Sequence, residues 1–363
     1  MTNHSGGRFL IPLMAALTAL AMATTSIYLP SLPHMAQDLS ATIGEVQLTL
    51  TLYMAVYGLA QLVMGPLSDR YGRRPVMISG LALAVLASIG CAATYSVGML
   101  LAARVLQGIG ACVGVVTARA VIRDVFDRQG SARALSVMTM VVSLAPIAAP
   151  IIGGYIEIWA GWRVTFLLIA ILTAVVMAAA IRLLPETNQN LQTQGSVIGG
   201  ALVNYRQLLV IPGFWGYALT NVGLYVTFYS FVAGAPVTFI EVFQFSAERY
   251  GLIAAIPMVG FFMGSLLASR LGARLSLDRQ IDLGTGAMGA AGLALLAVTA
   301  AGMLGPATLI APVFFWGIGM GVAQPNALAG AVSINPRIAG SAAALIGCIQ
   351  FAGGGLGSLI VAA

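Results

Sequence analysis

Residues 46–94 read VQLTLTLYMAVYGLAQLVMGPLSDRYGRRPVMISGLALAVLASIGCAAT, two apolar runs joined by a short turn dense in Gly, Asp, Arg and Pro. A helix rises about 1.5 Å per residue and the hydrocarbon core is about 30 Å thick, so each run has the length of one membrane crossing. The runs show no strand-type alternation, which excludes a membrane β-barrel. Working outward from this hairpin, blocks of the same kind fill the chain. They are Leu10–Tyr28, Val46–Leu67, Val76–Thr94, Gly98–Ile122, Ala134–Ile156, Val164–Leu184, Phe214–Phe239, Leu252–Ser269, Leu283–Met303, Pro306–Ala329 and Ala339–Ala363. The expectation is an all-α membrane protein with about eleven transmembrane helices. Leu10–Tyr28 is read as the first span and not as a cleavable leader, because it is span-length and no soluble domain follows.

Composition agrees. Of 363 residues, 59% are hydrophobic and 8% charged, against roughly 25% charged in soluble domains. The 17 basic side chains are all arginine. With the N-terminus cytoplasmic, cytoplasmic loops and flanks hold Arg8, Arg70, Arg73, Arg74, Arg119, Arg123, Arg128, Arg133, Arg182, Arg206, Arg270, Arg274, Arg279 and Arg337. The opposite side keeps Arg163 and Arg249, and the positive-inside rule therefore sets the N-terminus inside. The net charge of +6 follows from topology, with no contiguous basic stripe for nucleic acid. Cys91, Cys112 and Cys348 lie in separate apolar blocks without metal or redox spacing. No catalytic constellation, P-loop or filter-like repeat is present, which argues against an enzyme, a primary pump and a channel, and no metal or cofactor is expected.

The polar stretch 185–206 separates six spans from five and reads as a cytoplasmic linker between an N-terminal half (1–184) and a C-terminal half (207–363). Internal similarity supports two related halves. Arg70-x-Gly72-x-Arg74 recurs as Arg270-x-Gly272-x-Arg274 after the second span of each half, and Gly108-Ile109-Gly110 recurs as Gly317-Ile318-Gly319. Parallel repeats with a site at their interface are a transporter design.

The turn Gly65-Pro66-Leu67-Ser68-Asp69-Arg70-Tyr71-Gly72-Arg73-Arg74-Pro75 resembles the signature of the major facilitator superfamily between spans two and three. Gly65 permits close helix approach and Gly72 a backbone bend that β-carbons resist. Asp69 is suited to a helix N-terminus, which the resemblance implies is that of span eleven, and Arg70, Arg73 and Arg74 to carboxylates across the interface of the halves. Further segments resemble the Bcr/CflA group of drug exporters: Tyr28-Leu29-Pro30 with Pro33, Arg104-x-x-Gln107-Gly108-x-Gly110, Arg123-Asp124, Pro146-x-x-x-Pro150-x-x-Gly153-Gly154 and Gly161-Trp162-Arg163. The resemblance implies two pseudo-symmetric bundles and a cytoplasmic gating loop of Gly65, Asp69, Arg70, Gly72, Arg73, Arg74 and Asp124. It further implies close packing at Pro146, Pro150, Gly153 and Gly154. The chain departs from the group in three ways: Ser26 stands where an acid is usual, Ala149 precedes Pro150 in place of Gly, and eleven spans stand in place of twelve, as if the last helix were missing.

Arg104 lies inside a span, where a charge costs roughly 2.5–3.5 kcal/mol on insertion scales, and is a functional candidate on that ground. The resemblance turns it toward a central cavity. Candidate substrate-binding residues are Tyr28, Tyr53, Tyr57, Gln61, Arg104, Gln107, Asn221, Tyr225, Phe228, Tyr229, Gln324 and Asn326. None of the eleven Asp and Glu side chains sits at a span centre, so proton coupling is implied by the family, with Asp38 and Asp124 the candidate sites. A cavity with an arginine and no carboxylate suits neutral or anionic amphiphiles. The expected function is multidrug or antibiotic efflux across a bacterial inner membrane, by proton antiport of phenicol-like compounds in a monomer; the residues also allow a sugar or organic-anion importer, or an inactive relative.

Overall fold

The computed structural model describes residues 4–188, 197–272, 274–303, 305–335 and 338–362. Arg337, Ala363 and the linker side chains Gln189, Asn190, Gln192 and Gln194 fall outside them. The described residues form thirteen α-helices and no strand. They are α1 (His4–Ser26), α2 (Leu32–Asp38), α3 (Ile43–Tyr71), α4 (Arg73–Ala92), α5 (Val97–Val125), α6 (Arg128–Ala160), α7 (Trp162–Leu183), α8 (Val197–Leu209), α9 (Pro212–Pro236), α10 (Ala247–Leu271), α11 (Leu277–Ala300), α12 (Pro306–Ser333) and α13 (Ala339–Ala362). Eleven are long and apolar enough to cross a membrane.

Every apolar block becomes a helix, and most helices overrun their block. Capping groups, and not the first polar residue, set the ends: Thr42 and Glu45 form a reciprocal capping box on α3, and Ser96 and Asp127 accept backbone N–H groups at the starts of α5 and α6. The first block is shorter than expected. Helix α1 stops at Ser26, and a 3₁₀ turn over Leu29–Ser31, built on Pro30, leads into α2. The polar stretch 185–206 also differs from a plain linker, since its end joins α8, which packs on α3 and α13.

The helices form two bundles, α1 with α3–α7 and α9–α13. Helix α5 packs on α4 and α3 as α12 packs on α11 and α10. The repeated glycines make the equivalent contacts. A Cβ on Gly110 would lie 2.6 Å from the Gly80 oxygen of α4, and one on Gly319 would lie 2.5 Å from the Gly284 oxygen of α11. The Arg-x-Gly-x-Arg repeat is not equivalent in conformation: Gly72 has φ +98°, whereas Gly272 is an ordinary helical residue at φ −57°.

Two seams join the bundles, α3 on α13 and α6 on α10. Close contacts join them at one end. Gln47 Nε2 donates to the Ala233 oxygen across the bundles at 2.9 Å. A Cβ on Gly154 would reach the Ala247 oxygen, and one on Gly251 the Pro150 oxygen, each at 2.5 Å. The backbones are in contact there because side chains are absent. Gly153 packs against the Ile27 carbonyl within the first bundle, so the segment from Pro150 to Gly154 holds both α1 and α10. Pro146 lies one turn earlier in α6 and is half-buried.

Candidate functional site

The largest apolar core straddles the seams and contains Tyr28, Tyr53, Tyr57, Phe166, Tyr229 and Phe351. Helix α3 presents Tyr53 and Tyr57 on one face, with rings 5.9 Å apart, and Tyr57 meets Phe351 of α13 at 4.5 Å. From the other bundle, Tyr225 approaches Phe351 at 5.8 Å, and Phe228 stacks on Trp316 of α12 at 6.1 Å and 4°. Aromatic pairs of this kind add about 0.5–1.5 kcal/mol each beyond their burial.

Arg104 lies at one edge of this core and is fully buried. Its guanidinium carbon sits 4.3 Å from the Tyr53 ring centre, 4.6 Å from that of Tyr28 and 5.9 Å from that of Phe166. Nη1 donates to Gln107 Oε1 at 2.5 Å and to the Thr24 oxygen at 3.3 Å, and Nη2 donates to the Tyr28 hydroxyl at 3.4 Å. Gln107 Nε2 in turn donates to Ser88 Oγ at 2.7 Å. The cage is made of rings, an amide and a carbonyl, and no carboxylate enters it. Nε has no partner. Behind Gln107, between α1, α4, α5 and α7, lies a cavity of about 20 Å³, room for one water.

The site residues expected from sequence separate into groups. Tyr28, Tyr53, Arg104 and Gln107 come together in the cage, while Tyr57, Tyr225, Phe228 and Tyr229 gather at the seam. Gln61 faces α13, against Gly347. Asn221 donates to the Tyr217 oxygen in its own helix and leaves its Oδ1 buried without a partner. Asn326 turns inward, donating to Gln280 of α11 at 3.1 Å. Gln324 is half-buried on α12. Sequence reasoning passed over Phe166, Thr24, Ser88, Trp316 and Gln350. A mid-span amide and a mid-span tryptophan marked the last two; nothing local marked the others.

The Gly65–Pro75 turn closes on its own bundle. Arg73 donates to Ser68 Oγ at 2.6 Å and pairs with Asp69 at 2.5 Å and Asp124 at 2.9 Å. Arg74 donates to the Ile181 oxygen, and Arg70 lies over the Tyr71 ring. The expected pairs across the two bundles are therefore replaced by pairs within the first. Asp69 pairs with Arg73, four residues on in the chain, and Arg123 lies beside the start of α13, 3.2 Å from where a Cβ on Gly340 would be. Asp38, at the outer end, accepts from Trp162 Nε1 and Arg163 Nη1, both at 2.9 Å.

Glu186, the third residue of the 184–187 run Leu-Pro-Glu-Thr, was not among the expected site residues. Its carboxylate accepts the backbone N–H groups of Arg73 at 2.9 Å and Arg74 at 3.0 Å, capping the N-terminus of α4. A Cβ on Gly72 would sit 2.5 Å from Glu186 Oε2, so Gly72 serves the cap as well as its own positive φ. Burial raises the Glu186 pKa, and the N–H donors of Asn188, Arg73, Arg74 and Thr187 more than offset that, leaving it below the usual 4.5. A depressed carboxylate stabilises above its unfolded pKa, and the stabilisation is lost as pH falls through the folded value. The melting temperature of the wild type in detergent is expected to fall toward that of Glu186→Gln as pH drops below 4.5. A constant gap between the two proteins across that range would exclude the cap.

The Major Facilitator Superfamily family model matches residues 14–358. The chain is 31% identical over 347 residues to Multidrug resistance protein D of Escherichia coli (strain K12), covering 96% of this chain and 86% of that protein. It is 32% identical over 360 residues to the Chloramphenicol resistance protein of Pseudomonas aeruginosa, with 96% and 83% covered. Among solved structures, a bacterial homolog of the human lysosomal transporter Spinster, inward-facing and unoccupied, superposes with TM-score 0.78 at 16% identity over 99% of this chain and 82% of that one. A D-xylose-proton symporter superposes with TM-score 0.72 at 15% identity, over 98% and 89%. The paired bundles, the glycine-mediated seams and the family match over nearly the whole length agree: the chain belongs to the Major Facilitator Superfamily, in its Bcr/CflA-type branch of drug exporters.

Proposed function

We propose that this transporter exports neutral or anionic amphiphiles, phenicols among them, across a bacterial inner membrane by alternating access, with the proton as counter-ion. The observation that carries the reading is the aromatic core at the seam, where Tyr57 Oη lacks a described partner, as do Gln350 Oε1, next to Phe351 in α13, and Asn221 Oδ1, one turn before Tyr225 in α9. An unmade hydrogen bond in a buried site costs roughly 1–3 kcal/mol, and a ligand that meets these atoms recovers it. Relatives named for multidrug and chloramphenicol resistance support the same reading.

In this proposal Tyr28, Tyr53, Tyr57, Gln61, Arg104, Gln107, Asn221, Tyr225, Phe228, Tyr229 and Gln324 contact the ligand, and Asn326 holds α12 to α11. Gly65, Asp69, Arg70, Gly72, Arg73, Arg74 and Asp124 form the cytoplasmic gate, and the halves divide at 185–206. Proton binding falls to Asp38 or Asp124, both held in ion pairs at the membrane faces. In an efflux-deficient host, expression is expected to raise resistance to chloramphenicol or florfenicol. Protection against quaternary ammonium dyes with none against phenicols would refute the substrate class.

A further inference from the structure

Helix α5 carries two more arginines, Arg119 and Arg123, toward the cytoplasmic end. With Arg104 they occupy a sector of about 100° over about 28 Å of helix. Both are exposed, and neither donates a hydrogen bond to, or pairs with, any described residue. The nearby carboxylates Asp69 and Asp124 are held by Arg73. The positions of Arg119 and Arg123 place them at the cleft between the bundles and not against lipid. Arg119 is within electrostatic range of Tyr57 on α3 and Tyr225 on α9, and Arg123 lies beside the start of α13. Deeper in the cleft, Tyr57 and Tyr53 of α3 lead to Arg104 of α5, buried with an orphaned Nε.

Arg104 is a fully buried cation without a carboxylate beside it; a charge so placed is costly, and such residues pair with something during their working cycle. No described carboxylate pairs with Arg104, and Asp69 and Asp124, which face Arg123, are themselves paired with Arg73. We infer that α5 is an anion track and that the transported ligand is an organic monoanion, an aromatic body bearing one carboxylate, received at Arg123 and Arg119 and then held against Arg104. A planar guanidinium matches a carboxylate with two parallel hydrogen bonds, and the rings of Tyr53, Tyr57 and Phe351 suit an aromatic body. An inside-negative membrane potential drives a monoanion outward by itself, so export of this class requires no acid that titrates within the spans. The inference rests on the export reading above, narrows its substrate and puts the membrane potential in place of the proton as the driving force.

The test uses the purified full chain in proteoliposomes, with radiolabelled p-aminohippurate, its uncharged primary amide and chloramphenicol as probes. With no pH gradient and a potassium diffusion potential positive inside, p-aminohippurate is expected to accumulate, and reversing the potential to abolish accumulation. Preference for p-aminohippurate over its amide is expected to fall about tenfold or more in Arg104→Gln. Arg119→Gln and Arg123→Gln are expected to raise its KM several-fold, and these exposed positions keep the test open if Arg104→Gln fails to fold. Chloramphenicol flux without p-aminohippurate flux overturns the inference and leaves the export reading standing. Arginine-dependent p-aminohippurate flux without chloramphenicol flux supports the inference and removes phenicols from the export reading. No flux of either probe through folded protein overturns both, and p-aminohippurate flux indifferent to all three substitutions overturns the track.

Discussion

Arg104→Ala is expected to return the drug resistance of an expressing host to that of the empty host while leaving the protein folded. The two halves of this expectation come from different magnitudes. The arginine costs roughly 2.5–3.5 kcal/mol to place in a span. Its three ring contacts offset this at roughly 0.5–2 kcal/mol each. Removing the charge relieves that cost but leaves Gln107 Oε1 and the Thr24 oxygen without this donor, so a lowered melting temperature with the fold retained is expected. Binding has no such compensation. Truncating one partner of a buried charged pair costs about 2–5 kcal/mol, which is roughly 30-fold to several thousand-fold in affinity. Arg104→Lys is expected to rescue poorly, since an ammonium point charge cannot donate to Gln107 Oε1 and the Thr24 oxygen in the same fork while lying over two rings. Resistance titres beside a detergent melting curve check both halves. A fully resistant Arg104→Ala strain would remove Arg104 from the site.

Gly110→Leu is expected to cost about 3 kcal/mol or more and to prevent recovery of monodisperse protein. A Cβ there would stand 2.6 Å from both the Gly80 oxygen and the Ala84 nitrogen, backbone atoms that cannot turn aside. Gly319→Leu is expected to do the same to the second bundle, where the Gly284 oxygen is 2.5 Å away. Gly286, Gly289 and Gly292 provide the contrast. They lie on α11 with nothing within 4 Å of an added Cβ, and leucine at any of them is expected to change stability by less than about 0.5 kcal/mol. Size-exclusion profiles after detergent extraction separate the two groups. Equal damage at Gly286 and Gly110 would show that glycine content, and not the α4–α5 contact, governs packing.

Much of this molecule is readable in one dimension. A span must satisfy its backbone internally and be apolar over the membrane thickness, so hydropathy alone locates the helices. The Gly-Ile-Gly repeat was a sound sign of duplication because a glycine demanded by backbone contact leaves the same trace in each half. The Arg-x-Gly-x-Arg repeat was a poorer one, since Gly72 and Gly272 share identity but not conformation. The cage was half legible. An arginine in a span announces itself, as do amides such as Gln107, whereas Phe166, Thr24 and Ser88 look like any other residues of their helices. The pairing of the signature turn was misjudged because carboxylates exist in both halves, and only proximity selects Asp69 and Asp124 for Arg73. Glu186 was missed for the same reason, being more than a hundred residues from the helix it caps.

The sequence by itself determined the number of membrane-length helices and the kinship of the two bundles. Each follows from local quantities: twenty apolar residues and the spacing of small residues. Only the tertiary structure decided which polar group meets which. It turned Asn326 into the second bundle and bound Asp69 and Asp124 to Arg73. It also left Arg104 enclosed by rings without a carboxylate. The physical reason is that a charge or amide in low dielectric takes the nearest adequate partner, and nearness between helices is a property of packing that no single segment encodes.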